Sequence, residues 1–283
     1  MADSTPDPRI LGIIGGGRAA WAFGSHWPRE QLGGIALRAE SKSHLPEMLG
    51  TSRKTIPELT GRSEIVLVAV SDDAVPTVAA EVARVAAPEQ ILFHASGSLT
   101  SDVFAGHARA FSLHPLRSLP PPGVPFDFSG TLFVFEGPLE TEAGAKGLVE
   151  RFGGRMLRIE KQQKALYHAA AVYAANFTGA MLEICSELLE EAGLPREELT
   201  PDVARLAESA IANWSGSAAG KGFTGPAIRG DASVVERHIE VLAADPGKRE
   251  IYRLVSMEIL RSAIATGDHL ELQKLLDRLE TRG

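Results

Sequence analysis

The chain has 283 residues, 44% of them hydrophobic and 23% charged, which is enough apolar content for a sizeable core and enough length for two domains. A formal net charge of −7 gives no global attraction to nucleic acid or to an anionic membrane, so an anionic ligand needs a local cluster of Arg and Lys. A single cysteine, Cys185, excludes an intrachain disulfide and a cysteine-based zinc site, and no metal is expected. The N-terminus lacks the basic and apolar regions of a secretory signal, and no apolar run approaches the roughly 18 residues of a membrane span. The expectation is a soluble cytoplasmic protein, ordered apart from Met1 to Pro8 and a short C-terminal tail.

Arg9 to Ile14 (RILGII) is β-branched and apolar, short enough for a buried strand. Gly15-Gly16-Gly17-Arg18-Ala19-Ala20 follows at once, and Trp21 to Trp27 continues as helix. A second strand covers Ile35 to Arg38 after the Gly33-Gly34 turn. Glu64 to Val70 reads as a central parallel strand because both its faces are apolar. A helix over Val75 to Ala86 leads to a strand at Ile91 to His94. Short strands near Ala110 to Leu113, Leu132 to Phe135 and Met156 to Ile159 complete the sheet, with a helix from Thr141 to Phe152. Leu119 to Pro125 (LPPPGVP) is a stiff surface loop. Strands alternating with helices predict an α/β fold with a doubly wound parallel sheet.

Near Glu160 the pattern changes class, dividing the chain into residues 1–160 and 161–283. Lys161 to Ala192 is Ala-rich and proline-free, and reads as one long helix ending at Gly193-Leu194-Pro195. Thr200-Pro201-Asp202 supplies the start of a helix reaching Trp214. A Gly-rich stretch, Ser215 to Gly230, interrupts the pattern. Asp231 then caps a helix through Ala243, and two more follow at Lys248 to Ala265 and Asp268 to Leu279. No strand signal follows Ile159.

Gly15-x-Gly17-x-x-Ala20 has the spacing of a dinucleotide fingerprint. Gly15 permits the tight turn, Gly17 lets the backbone approach a pyrophosphate, and Ala20 allows close helix–strand packing. The phosphates would sit on the N–H groups of Gly16, Gly17, Arg18 and Ala19 at the helix start. A Gly-rich turn of another α/β protein is the alternative. The position after the first strand, opening a helix and preceding a second strand, favours the fingerprint. Beyond the second strand an acidic residue would hold a ribose 2′-OH, whereas Arg, Lys or Ser would hold a 2′-phosphate. Arg38, Ser41 and Lys42 together can surround a dianion, which points to NADP; Glu40 keeps NAD as the alternative.

Ligands of such sheets bind outside the carboxyl ends of the strands. Val70-Ser71-Asp72 would there line the nicotinamide side. His94 and His114 lie at strand ends, each open to a structural or a catalytic role. Ser96 and Gly97 suit either a hold on a substrate oxygen or a turn before a helix. Lys164 and His168 stand at i and i+4, on one helix face, and either can supply the proton that a hydride reduction requires; an exposed helix start with solvated charges is the bland alternative. Asn176, on an otherwise apolar helix, asks for a partner, from substrate or from helix packing. Arg229, between a turn and a capped helix, suits a carboxylate or a structural ion pair, and Asp231 reads as an N-cap.

Taken as an ordered set, GIIGGGRAAWAF, VAVSDDAV, FHASGSL, SLHPLRSL, KALYHAAAVYAANF and TGPAIRGD resemble the bacterial Rossmann-like oxidoreductases with an all-helical second domain of unknown function. That family is related to pyrroline-5-carboxylate reductase, ketopantoate reductase and the β-hydroxyacid dehydrogenases, and the resemblance covers nearly the whole chain. It implies a helical domain like that of 6-phosphogluconate dehydrogenase, commonly dimerising through its helices. It also implies an NAD(P)H-dependent reductase of a small C=O, in a 2-oxo acid such as ketopantoate or a 3-oxo acid, or of a cyclic C=N. In the related dehydrogenases a Lys and an Asn one turn apart bind and protonate the substrate. The matching pair here is Lys164 and His168, so His stands where those enzymes have Asn. A dinucleotide-binding sensor without turnover is the competing class, and a deazaflavin reductase, a shorter protein, is a further one.

Overall fold

A computed structural model describes residues 9–218, 221–267 and 269–281. Met1 to Pro8 and the helix start read at Asp268 lie outside the described residues. The chain packs as two compact units, residues 1–175 and 176–283. The change of class read near Glu160 precedes that division, because the helix start carrying Lys164 packs with the first unit.

The first unit holds an eight-stranded sheet: β1 (Leu11–Ile14), β2 (Leu32–Ala36), β3 (Arg53–Lys54), β4 (Ile65–Val68), β5 (Ile91–His94), β6 (Ala110–Pro115), β7 (Leu132–Glu136) and β8 (Arg155–Arg158). Their order is β3-β2-β1-β4-β5-β6-β7-β8. Side chains alternate between the two faces. Leu11, Ile13, Ile65 and Leu67 join an aromatic cluster around Phe23, Phe93, Phe111, Phe133 and Phe152, covered by α1 (Arg18–Ser25) and α5 (Glu142–Arg151). Ile14, Val66, Val68 and Leu92 face the aliphatic side chains of α3 (Ile56–Thr60) and α4 (Val75–Val85). Helices on both faces are what the alternating pattern predicted, because strands apolar on both sides need two covers.

The sheet departs from the all-parallel expectation once. β7 runs antiparallel to β6, and β8 is parallel to β7. No helix crosses between β6 and β7; the Pro-rich loop joins them instead, and a strand pair without a crossover element returns antiparallel. That loop is tied to α1, since Arg18 Nη1 donates to the Leu119 carbonyl at 3.1 Å and Trp21 Nε1 to that of Val124 at 2.9 Å. Three short elements between β2 and β4 were not foreseen: α2 (Leu45–Met48), β3 and α3. The signal for α3 was present in Thr55-x-x-Glu58, which forms a reciprocal capping box.

The stretch read as one helix from Lys161 to Ala192 divides into a 3-10 turn at Lys161–Gln163, α6 (Lys164–Val172), a π-helical turn at Tyr173–Phe177 and α7 (Thr178–Glu191). In the second unit α9 (Pro226–Arg229), α10 (Ala232–Val241), α11 (Pro246–Ile264) and α12 (Leu270–Glu280) enclose a core of Ala227, Val235, Ile239, Met257, Leu260, Leu275 and Leu279. Two local readings are corrected. α8 (Arg196–Ser215) begins before Thr200, so Pro201 lies inside it; Glu197 and Glu198 in the first turn favour the earlier start. Asp231 stands at the N-cap of α10, but its side chain caps no N–H and instead pairs with Arg229 at 2.8 Å.

Candidate active site

Three backbone features build a cavity at the carboxyl ends of β1, β2 and β4. Gly15 adopts φ +126°, and a Cβ there would lie 2.1 Å from the Ala69 carbonyl oxygen, so the turn requires glycine. Ser43 Oγ donates to the Gly16 carbonyl at 3.0 Å and fixes the loop from the other side. Gly17 is the N-cap of α1, no side chain caps that helix start, and a Cβ on Gly17 would meet nothing within 4 Å. A helix N-terminus left clear in this way is suited to a phosphate. The cavity measures about 760 Å³, and its walls include the fingerprint loop from Gly15 to Ala19, Arg38 and Ser41 after β2, and Val70 and Ser71 after β4. Size, glycine geometry and helix start all fit a dinucleotide.

The sequence reading missed three contributors to this cavity. Ser43 and Lys54 line it, and Arg53 shapes the loop after β2, because its Nη2 donates to the carbonyl oxygens of Leu37, Arg38 and Ala39. Arg38 itself is exposed and lies 3.5 Å from Glu40. Lys42 is exposed and does not line the cavity, and Ala20 is buried against the core as the fingerprint requires.

Beside the cavity a polar row crosses the sheet. His94 is in register with Ser112 on β6, and Ser112 with Glu136 on β7, so the three side chains share the face on which Val68 ends the apolar row. All three are at most 1% exposed. Glu136 accepts from the backbone N–H of Ser101 at 2.7 Å and from its hydroxyl at 3.0 Å. His94 Nε2 lies 3.1 Å from the Thr100 carbonyl, and its Nδ1 accepts the Ser96 N–H at 3.2 Å. Both ring nitrogens are therefore engaged by the segment following β5. Burial first, then the charge of Lys164, pushes His94 down to about 4, so the ring is neutral. The side chain of Ser96 accepts the N–H groups of Ser98 and Leu99, and Ser98 Oγ donates to Asp72 at 2.8 Å, linking this segment to the loop after β4.

Lys164 closes the row from α6. It is 1% exposed, and Nζ donates to the Ser96 carbonyl at 3.2 Å and to Ser112 Oγ. Burial lowers its pKa from the usual lysine value to about 8, while Glu136 and Asp72 oppose the shift. One helical turn on, Tyr167 and His168 come from the same element. The Tyr167 hydroxyl lies 2.6 Å from His114 Nδ1. The His114 and His168 rings meet edge to face at 6.1 Å. Gly97 sits against both: a Cβ there would approach His168 Cδ2 to 2.6 Å and His114 Nε2 to 3.0 Å. Burial, followed by the charges of Lys164 and His168, takes His114 to about 4.

Lys164, His168, His114, His94, Ser96, Gly97 and Asp72 thus form one constellation in the first unit. Asn176 lies in the π-helical turn and is exposed. Arg229, in the second unit, is committed to Asp231. Ser112, Glu136, Ser101 and Tyr167 escaped the sequence reading. Tyr167 adjoins His168 and could have been found by extending the Lys164–His168 face. Ser112 and Glu136 are aligned only by strand register, and Ser101 reaches Glu136 from the turn that follows β5. Among the described residues no cluster of His, Cys, Asp and Glu could hold a metal ion, and no helix is long and apolar enough to cross a membrane.

Residues 2–116 match the model of a Rossmann-like domain, and residues 131–259 match that of a domain of unknown function, DUF2520. The chain carries the two in this order, as the resemblance of its motifs implied. No curated protein matches it. Solved structures that share its fold include the following three. A Bacteroides fragilis protein provisionally assigned as an NADP oxidoreductase is 24% identical, with 89% of this chain and 97% of that one covered and a TM-score of 0.76. A Thermotoga maritima protein is also 24% identical, with 91% and 99% covered and a TM-score of 0.66. The pyrroline carboxylate reductase of Plasmodium falciparum, with NADP bound, is 13% identical, with 97% and 98% covered and a TM-score of 0.56.

Proposed function

We propose that the protein is an NADPH-dependent reductase of a small C=N substrate, with the C=O of a 2-oxo or 3-oxo acid, ketopantoate included, as the second substrate class. The observation carrying this reading is the adjacency of the dinucleotide-shaped cavity to the Lys164–Tyr167–His168–His114 constellation, joined through Ser98 and Asp72. NADP binding by the pyrroline carboxylate reductase of the same fold supports both the cofactor and the bond type. A bound dihydronicotinamide supplies hydride at its C4.

In this scheme Gly15 to Ala19 receive the pyrophosphate, with Ala20 packing the helix start against the sheet, and Arg38 and Ser41, with Lys42 beside them, hold the 2′-phosphate. Val70, Ser71 and Asp72 border the nicotinamide. Ser96 and Gly97 present a backbone surface to the substrate, and Lys164, His168 and His114 furnish charge and protons where the hydride acceptor develops negative charge. Asn176 and Arg229 are proposed substrate contacts of the second unit. A homodimer in a reducing cytoplasm completes the proposal. Calorimetric titration should give tighter binding of NADPH than of NADH, and NADPH should be consumed with cyclic imines in a panel that also holds 2-oxo and 3-oxo acids. Tighter NADH binding would assign the ribose to Glu40. Tight binding with no turnover would favour a sensor.

A further inference from the structure

Tyr167 is an ionisable side chain beside the constellation that neither the fingerprint nor the Lys164–His168 pair employs. Its hydroxyl stands 2.6 Å from His114 Nδ1, and both residues are half-buried. Lys164 is placed differently. It is 1% exposed, and its Nζ is turned inward onto the Ser96 carbonyl and Ser112 Oγ, so it contributes charge and holds the Ser96 segment. His114 Nε2 faces Gly97, on the segment tied to Asp72 at the nicotinamide side. From these positions we infer that Tyr167 is the group that hands the proton to the substrate, with His114 as the relay behind it. The inference rests on the reductase reading above.

The step balances. Hydride brings two electrons to the substrate carbon and leaves the nicotinamide oxidised, the C=N π bond opens, and its electron pair settles on nitrogen. Tyr167 Oη gives its proton to that nitrogen. The phenolate so formed takes the Nδ1 proton of His114, whose Nε2 takes one from water. Both partners suit these parts. Burial pushes the Tyr167 phenol up from its ordinary value, so the hydroxyl stays loaded. His114, held near 4, is neutral and can carry a proton on one nitrogen while accepting at the other.

A substrate that needs hydride but no proton separates this role from a structural one. A cyclic imine, assayed at a pH where it is unprotonated, requires both; its N-methyl iminium salt requires only hydride. Tyr167→Phe should lower kcat on the neutral imine roughly 10²-fold, while kcat on the iminium stays near that of the wild type, which also shows that the variant is folded. In the cofactor-free protein, ¹⁵N spectra of labelled histidine should show the His114 Nδ1 resonance shifting in Tyr167→Phe and the His94 resonances unmoved. Equal losses on the two substrates, an unchanged rate on the imine, or an unmoved His114 resonance would overturn the inference while leaving a working reductase. Wild-type protein that oxidises NADPH with neither substrate would instead overturn the reductase reading, and the inference with it.

Discussion

Gly15 and Gly17 stand two residues apart and should fail differently when enlarged. Gly15 has φ +126° and the Ala69 carbonyl against the position of its Cβ, so Gly15→Ala strains the backbone and should cost about 2 kcal/mol of stability or more. Gly17 has open space, so Gly17→Val should melt near the wild type yet lose NADPH binding in calorimetry, because the added side chain occupies the phosphate position. Retained binding in Gly17→Val would remove the fingerprint role. Lys164 gives a second prediction at this scale. Its ammonium prevails below about 8 and its amine above. Turnover that relies on this charge should fall as pH rises through about 8, and Lys164→Ala should abolish that limb and lower the plateau by roughly 10²-fold or more. An unchanged pH profile in the variant would exclude Lys164 from the reaction. These residues were legible because glycine spacing and an i, i+4 pair are local patterns. Tyr167, one position from His168, was equally local, but its partner His114 is distant in the chain.

At the scale of elements, the long strands were readable from their two-sided apolar character, and β5 was placed at its observed ends. β3, α2 and α3 were not, since two to five residues give no period to count, and only the Thr55-x-x-Glu58 capping box marked the start of α3. The consequence is functional, because β3 brings Arg53 to the loop after β2. Arg53→Ala should leave NADH affinity almost unchanged and weaken NADPH, as the Leu37–Ala39 carbonyls lose their common donor and Arg38 loses its support; equal weakening of both would mean that Arg53 does not shape the 2′-phosphate site. The polar row was illegible for a similar reason. His94, Ser112 and Glu136 come from three strands, and only their register sets them side by side. The row also makes the fold acid-sensitive. His94 is neutral in the folded state, near 4, against about 6.5 when unfolded. Between those values the unfolded chain binds the additional proton, so its contribution is complete above pH 6.5 and is lost as pH falls toward 4. The amount is on the order of 3 kcal/mol. Thermal melts of His94→Gln across this window should show a shallower decline than the wild type, and parallel curves would contradict the assignment.

For the whole molecule, two domains of different class were visible in the change from alternating strands to continuous helix. The packing division falls later, at Ala175/Asn176, because Lys164 and Tyr167 engage strand-end residues of the first unit. α7 and α8 bury no side chains, and α8 leaves Leu206 at 68%, Ile211 at 55% and Trp214 at 63% exposure. Such apolar surface on a 30.2 kDa chain favours the proposed homodimer. Light scattering should return twice the chain mass at micromolar concentration; the mass of one chain would reject it.

The proposed function stands on hydride transfer from a nicotinamide held by the first unit to an unsaturated carbon of a small substrate. NADPH carrying deuterium at C4 reports on that step when it is incubated with the protein and a cyclic imine and the amine product is analysed by mass spectrometry and NMR. One deuterium on the carbon bonded to nitrogen, from one face of C4 only, is the predicted result. Amine without deuterium, or tightly bound NADPH that yields no product across the imine and oxo-acid panel, would contradict it.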